Sequence, residues 1–167
     1  MRDRHCLILG LTMMMAAPVM AASCDRDCLE GIAAQYLDAY RMRDTGRAPF
    51  AARVRFVENN VEMPFPDGSW DTVTQQVGSP MVLSDPRNGQ LGIFASILQN
   101  DTPTFVGIRL AVKNGRITEV EHILSTRRNL SSPPTPIGDI WTYVRDPDLP
   151  REVPVEQRAT REQLVRH

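Results

Sequence analysis

Lysine is almost missing from this chain. Lys113 is the one lysine among 19 basic residues, set against 20 acidic ones, for a formal net charge of −1. A near-neutral chain with no basic run carries no electrostatic footprint for nucleic acid. Histidine is scarce as well, with His5, His122 and His167 the three in the sequence. No HExxH and no pair of CxxC motifs offers the ligand spacing of a zinc site. A Gly-rich phosphate loop is absent and so is a Ser–His–Asp spacing, which argues against nucleotide enzymes and several standard hydrolases. These gaps lead us to expect neither a metal nor an organic cofactor. The length is that of one domain.

Cysteine is limited to Cys6, Cys24 and Cys28. Cys6 sits in a hydrophobic run, Cys6 to Met20, that follows Arg2 and Arg4 and is too short to span a bilayer comfortably. Small residues at Val19-Met20-Ala21 or Met20-Ala21-Ala22 then offer a cleavage point. Residues 1–22 read as a secretory signal peptide, so the mature protein is expected in the periplasm or beyond, with no membrane attachment after cleavage. The alternative of a lipoprotein box before Cys24 is weaker, because Ala21-Ala22-Ser23 lacks the usual leucine. In an oxidising compartment the remaining pair, Cys24 and Cys28, favours a disulfide closing a small loop.

Apolar residues recur at helical spacing from Asp25 to Arg43: Leu29, Ile32, Ala33, Tyr36, Leu37 and Tyr40 share one stripe. Asp25 or Asp27 can cap the start, Thr45-Gly46 ends the helix, and a short turn around Pro49 follows. Arg53 to Met63 alternates as a strand that puts Val54, Phe56, Glu58 and Asn60 on one side. Pro64, Pro66, Asp67 and Gly68 force turns. Trp70, in the loop GSWDTVT, reads as a plug over a core or, less well, as a lid. Residues 81–85 and Gln90 to Gln99 read as further strands, separated by a turn from Pro86 to Gly89.

Asn114-Gly115, between two β-branched runs, is a strong signal for a two-residue hairpin turn. With Lys113 opposite Arg116, an unbroken ladder puts Ala111 with Thr118, Arg109 with Val120, Gly107 with His122 and Phe105 with Leu124 on one face. The other face then carries Val112, Leu110, Ile108 and Val106 with Ile117, Glu119, Glu121 and Ile123. On this register Arg109 and His122 are diagonal neighbours beside the gap left by Gly107. That face reads as a cavity wall, and the Val/Ile/Leu face as free for packing or association.

Six prolines between Pro133 and Pro154 make residues 129–155 an extended arm or linker. Glu156 to His167 opens a helix, with Thr160 and Gln163 forming a capping box.

The stretches CDRDCLEGIAAQYLDAY, RFVENNVEMPFPDGSWDTVT, DPRNGQLGIF and RLAVKNGRITEVEHILSTR, within residues 24–128, resemble the nuclear-transport-factor-2-like or SnoaL-like superfamily, and within it a secreted bacterial and fungal subgroup. The loop MPFPDGSWDT departs from the Gly-rich turn expected there. The resemblance implies an α+β fold in which a curved mixed or antiparallel sheet forms a cone around the N-terminal helix, of the cystatin-like or ketosteroid-isomerase-like kind, over residues 23–128. It also implies that residues 156–167 begin a second copy of the domain or a docking tail. Isomerases, dehydratases, lyases, cyclases and plain binders share this cone, so function has to come from residues.

His122 is the single internal histidine of the mature domain and the side chain best suited to proton transfer near neutral pH. A diagonal Arg109 would keep its ring neutral and could steady an oxyanion. Glu58 is a second candidate base or the partner of Arg109. Tyr36, Tyr40, Trp70, Phe105 and Asn60 complete the candidate substrate contacts. The set suits a cofactor-independent lyase or isomerase acting on a small aromatic or polyketide-like molecule. The alternative is a non-catalytic periplasmic ligand-binding or dimerisation module, a homodimer through the Val/Ile/Leu face of the hairpin, in which the same polar groups merely satisfy one another. Glu119 and Glu121 read as outward and solvated or at an interface.

Overall fold

The computed structural model describes residues 24–126 and 153–166. Residues 1–22, read as a signal peptide, and most of the Pro-rich segment read as an arm lie outside the described residues. Helix α1 runs from Arg26 to Met42, with the Asp25 side chain accepting from the Cys28 amide and Arg43 in the left-handed conformation closing the far end. A disulfide joins Cys24 to Cys28 across that first turn. Its apolar stripe is buried as the 3.6-residue period demands: Leu29, Ile32, Ala33, Tyr36, Leu37 and Tyr40 all face the core.

Six strands form one sheet: β1 (Phe50–Glu58), β2 (Val61–Met63), β3 (Val73–Asp85), β4 (Gln90–Gln99), β5 (Thr102–Lys113) and β6 (Arg116–Thr126), in spatial order β2-β1-β6-β5-β4-β3. β1 lies parallel to β6, and every other neighbouring pair is antiparallel. One turn of helix, α2 (Ser69–Thr72), stands between β2 and β3. The segment read as one strand from Arg53 to Met63 is a hairpin. Asn59 and Asn60 both have positive φ, as do Asn100-Asp101 and Asn114-Gly115 at the other two tight turns, the conformation a two-residue hairpin loop requires. The strand read at 81–85 extends back to Val73, with a register shift between Val77 and Met81 that accommodates Pro80 on this edge strand.

Helix α1 packs on β3 and β4. Leu91, Ile93 and Ile97 of β4, Val106, Ile108, Leu110 and Val112 of β5, and Ile117 and Val120 of β6 form the core beneath it. The Val/Ile/Leu face of β5, read as free for packing or association, is the inner face of the sheet and packs in the core. Short helix α3 (Arg161–Val165) carries the Thr160–Gln163 capping box, and Arg161 reaches Asp85 at 2.9 Å.

A bulge decides which side chains meet. Val112 pairs with Ile117 as the turn dictates, but Ala111 pairs with Glu119, so Thr118 is the extra residue. Below it every pair is offset by one: Arg109 faces Glu121, Ile108 faces His122, and Gly107 faces Ile123. Because side chains alternate along a strand, this one residue sends Arg109 and His122 to opposite faces of the sheet.

Candidate functional site

His122 comes from the middle of β6, and its ring is fully buried on the inner face. Tyr36, one helical turn before Tyr40 on α1, places its hydroxyl 2.7 Å from His122 Nε2. Ser69, at the start of α2, places Oγ 2.9 Å from Nδ1. Glu58, the last residue of β1, lies 3.6 Å from Nδ1 through Oε2, and the same oxygen accepts the Ser69 amide at 3.0 Å. Gly68 makes room for that carboxylate: a Cβ there would lie 2.7 Å from Glu58 Oε1, and its φ of +63° is one glycine adopts without strain. The neighbouring turn is tied to β6 as well, since the Asn59 amide donates to the His122 carbonyl and the Asn59 side chain accepts from the Leu124 amide.

Burial holds His122 below its ordinary value, partly offset by Glu58, so the ring is neutral. Burial also raises the Tyr36 phenol well above its ordinary value, with the nearby Tyr40 adding to it and Trp70 pulling it back in part. The phenol therefore stays protonated and donates to Nε2. The ring proton then sits on Nδ1, facing Ser69 and Glu58. Burial pushes Glu58 up, but the nearby His122 ring and hydrogen bonding from Ser69 outweigh it and leave the carboxyl below its usual range.

Around this chain of bonds stand aromatic rings. Tyr40, Phe56 and Tyr36 lie with centroids 5.0, 5.3 and 6.1 Å from that of His122. Trp70 fills the space beyond, 5.2 Å from Tyr40 and 5.1 Å from Phe65, which itself lies 4.8 Å from Phe50. The Tyr40 hydroxyl and the Trp70 indole nitrogen are buried without a hydrogen-bond partner of good geometry. The Ser69 side chain is close enough to Tyr40 to temper the upward push of burial on its phenol.

No family model and no curated protein matches the chain. Solved structures do. A candidate ketosteroid isomerase from Kribbella flavida aligns at a TM-score of 0.50 and 15% identity, over 81% of this chain and 96% of that one. AclR, a candidate hydroxylase from Streptomyces galilaeus, aligns at 0.47 and 9% identity, over 62% and 82%. An NTF2-like protein of unknown function from Cytophaga hutchinsonii aligns at 0.46 and 10% identity, over 58% and 89%. This chain has the ketosteroid-isomerase-like cone fold. At such identities the likeness establishes architecture alone.

Within the cone, Tyr36, Tyr40, Glu58, Trp70 and His122 converge, as the sequence suggested they could. Arg109, Phe105 and Asn60 do not join them. Arg109 lies on the outer face, where Nε, Nη2 and Nη1 donate to Glu121 at 2.8 Å, Glu119 at 2.9 Å and Gln90 at 3.0 Å. Glu58 is therefore the partner of His122 and not of Arg109, and the depressed histidine owes nothing to like-charge repulsion. Phe105 pairs with Ser125 on the outer face, and Gly107 opens its gap there too. Asn60 is exposed in the β1–β2 turn. Ser69 and Phe65 join the cluster unannounced, because the loop that folds them back carries no periodic signal, and Phe50 joins from the first position of β1, ahead of the segment that alternates. Among the described residues no three His, Cys, Asp or Glu side chains converge to hold a metal.

Among the described residues, the side chains that converge inside the cone pack against one another. On the other side of the sheet is a hollow of about 1020 Å³ lined by Val77, Met81, Phe94, Phe105 and Ile123, with Arg109 and Glu121 beside them. Phe94 and Ile123 are 55% and 47% exposed there.

Proposed function

We propose that this protein is a non-catalytic binding module for an apolar small molecule, working outside the cytoplasm, with its binding surface on the outer face of the sheet. The observation that supports it is the contrast between the two faces. The histidine and phenol read as candidates for proton transfer are sealed inside the cone, with His122 and Tyr36 both 0% exposed and bonded to one another. The hollow on the outer face is large enough for a drug-sized ligand and mostly apolar. Placement outside the cytoplasm is supported by the leader-like residues 1–22 and by the Cys24–Cys28 disulfide.

A second reading, acid–base lyase or isomerase chemistry with His122 as base and Glu58 and Tyr36 beside it, is favoured by one specific observation. The buried Tyr40 hydroxyl, on a ring 5.0 Å from that of His122, and the N–H of the neighbouring Trp70 lack a hydrogen-bond partner of good geometry, and a substrate carbonyl could satisfy both. That reading requires Phe50, Phe65 and Trp70 to part.

His122 and Ile123 are adjacent in β6 and on opposite faces, so one NMR experiment separates the readings. A panel of small aromatic and aliphatic compounds is titrated while the Ile123 δ-methyl and the His122 ring resonances are followed. The expected result is a saturable shift at Ile123 with the His122 ring unmoved. A compound that moves the His122 ring and its titration first would overturn the outer-face reading in favour of the enzyme.

A further inference from the structure

Besides Ser79, Ser96 and Ser125, the hollow has one charged place, formed by Arg109 and Glu121, and the charge there is lopsided. Arg109 spends its Nε, Nη1 and Nη2 groups on Glu121, Gln90 and Glu119. The two carboxylates hold its guanidinium firmly protonated. An incoming carboxylate or sulfate would find no free guanidinium fork and would face both glutamates. Each glutamate engages Arg109 through Oε2, and among the described residues its Oε1 has no partner. One cation against two carboxylates leaves an excess negative charge. At the Glu119 end Lys113 and Arg55 offset part of it, although Arg55 is itself bridged to Glu62. The excess therefore concentrates at Glu121, the carboxylate that lines the hollow.

The apolar part lies beside it. Gly107 leaves the sheet without a side chain between Phe94 and Ile123, and a Cβ there would meet the Phe94 ring at 3.8 Å. The result is a slot floored by backbone and walled by Phe94 and Ile123. Arg109 is two residues along the same face, about 7 Å away at strand rise. Shape and charge together specify an apolar body with a positive group roughly one side chain's length from it. Resting on the outer-face reading above, we propose that the ligand is a cationic amphiphile, its chain or ring over Gly107 and its ammonium against Glu121.

Three probes with one decyl chain and different heads test this: decyltrimethylammonium, decyl maltoside and decyl sulfate, each below its micelle-forming concentration, with the Ile123 methyl as reporter. An exposed ion pair is modest, so attraction of the cation and repulsion of the anion together should separate their affinities by roughly tenfold. Glu121→Gln should bring the cation down to the affinity of the neutral probe, and Gly107→Val should block all three by filling the slot. Equal binding of the three heads, or a preference that survives Glu121→Gln, overturns the cationic ligand while leaving an outer-face binding site in place. No shift at Ile123 with any probe overturns the outer-face reading itself. A dimer in solution that Phe94→Ser converts to monomer would assign the hollow to a second copy and overturn both.

Discussion

His122 and Glu121 are neighbours in β6, and each belongs to a polar cluster of three or more side chains, but the two clusters obey different physics. Inside the cone, His122, Tyr36, Ser69 and Glu58 hold one another, the first three sealed from water and Glu58 nearly so. Outside, Arg109, Glu119 and Glu121 form a network whose side chains are about one-third exposed. Removing a buried partner leaves the others with nothing to bond, at about 1–3 kcal/mol per orphaned group. Removing an exposed one costs little, because water replaces it. On the proposed reading, the richer cluster holds the fold together and the barer face binds the ligand.

The sharpest way to break this comparison is His122→Leu. The leucine roughly fills the volume but strands the Tyr36 hydroxyl and Ser69 Oγ and leaves the Glu58 carboxylate only its bond from the Ser69 amide, so the expected loss is about 3 kcal/mol, read from the urea midpoint at unchanged m-value. A catalytic histidine held in place for chemistry alone would cost far less. A loss below about 1 kcal/mol would show that the inner cluster does not carry the fold.

Much of this architecture could be read from the chain. The stripe from Leu29 to Tyr40 marks a helix by its period, Asn114-Gly115 marks a turn, and Thr160 with Gln163 marks a capping box, because each is a local signal whose physics is complete within a few residues. The site was legible only in part. Tyr36, Tyr40, Glu58, Trp70 and His122 stood out one by one through chemistry. Their assembly with Arg109 rested on an unbroken ladder, and the bulge at Thr118 broke it. A trace of that bulge is present: Ile117 and Val120, both buried on the inner face, are three residues apart where alternation permits two or four. Asn59-Asn60 was a second turn signal inside an apparent strand. Ser69 and Phe65 left no such trace, since their place depends on how one loop folds onto a sheet formed by residues far along the chain.

A smaller effect separates the clusters by pH. His122 is held below its ordinary value of 6.5 in the folded protein, so the unfolded chain binds a proton there that the native state refuses. Stability is then complete above about pH 6.5 and falls as the pH drops toward the folded value. Glu58 acts in the same direction lower down: its folded carboxyl lies below the ordinary 4.5, and the stability it adds is lost as pH falls through that folded value. Urea midpoints should decline between about pH 7 and pH 5, and in His122→Leu that part of the decline should disappear. A wild-type midpoint that stays flat over this window would mean that His122 is not held neutral by its surroundings.

The outer face should hardly register in such measurements, and Gly107→Val makes the point most cleanly. Gly107 lies in mid-strand and is not among the glycines with positive φ, and the space above it is open except for the Phe94 ring at 3.8 Å from a built Cβ. Valine suits an extended backbone better than glycine, which gives up more conformational freedom on folding. The new methyls fall in the hollow and not in the core, so no buried neighbour has to move. Stability should stay within about 0.5 kcal/mol of wild type or rise slightly, as the thermal midpoint would show, while every probe that uses the slot loses its place. A variant that keeps the fold and loses the ligand is the mirror image of His122→Leu. If Gly107→Val instead destabilised the protein by 2 kcal/mol or so, the hollow would be part of the packing and the division between the two faces would fall.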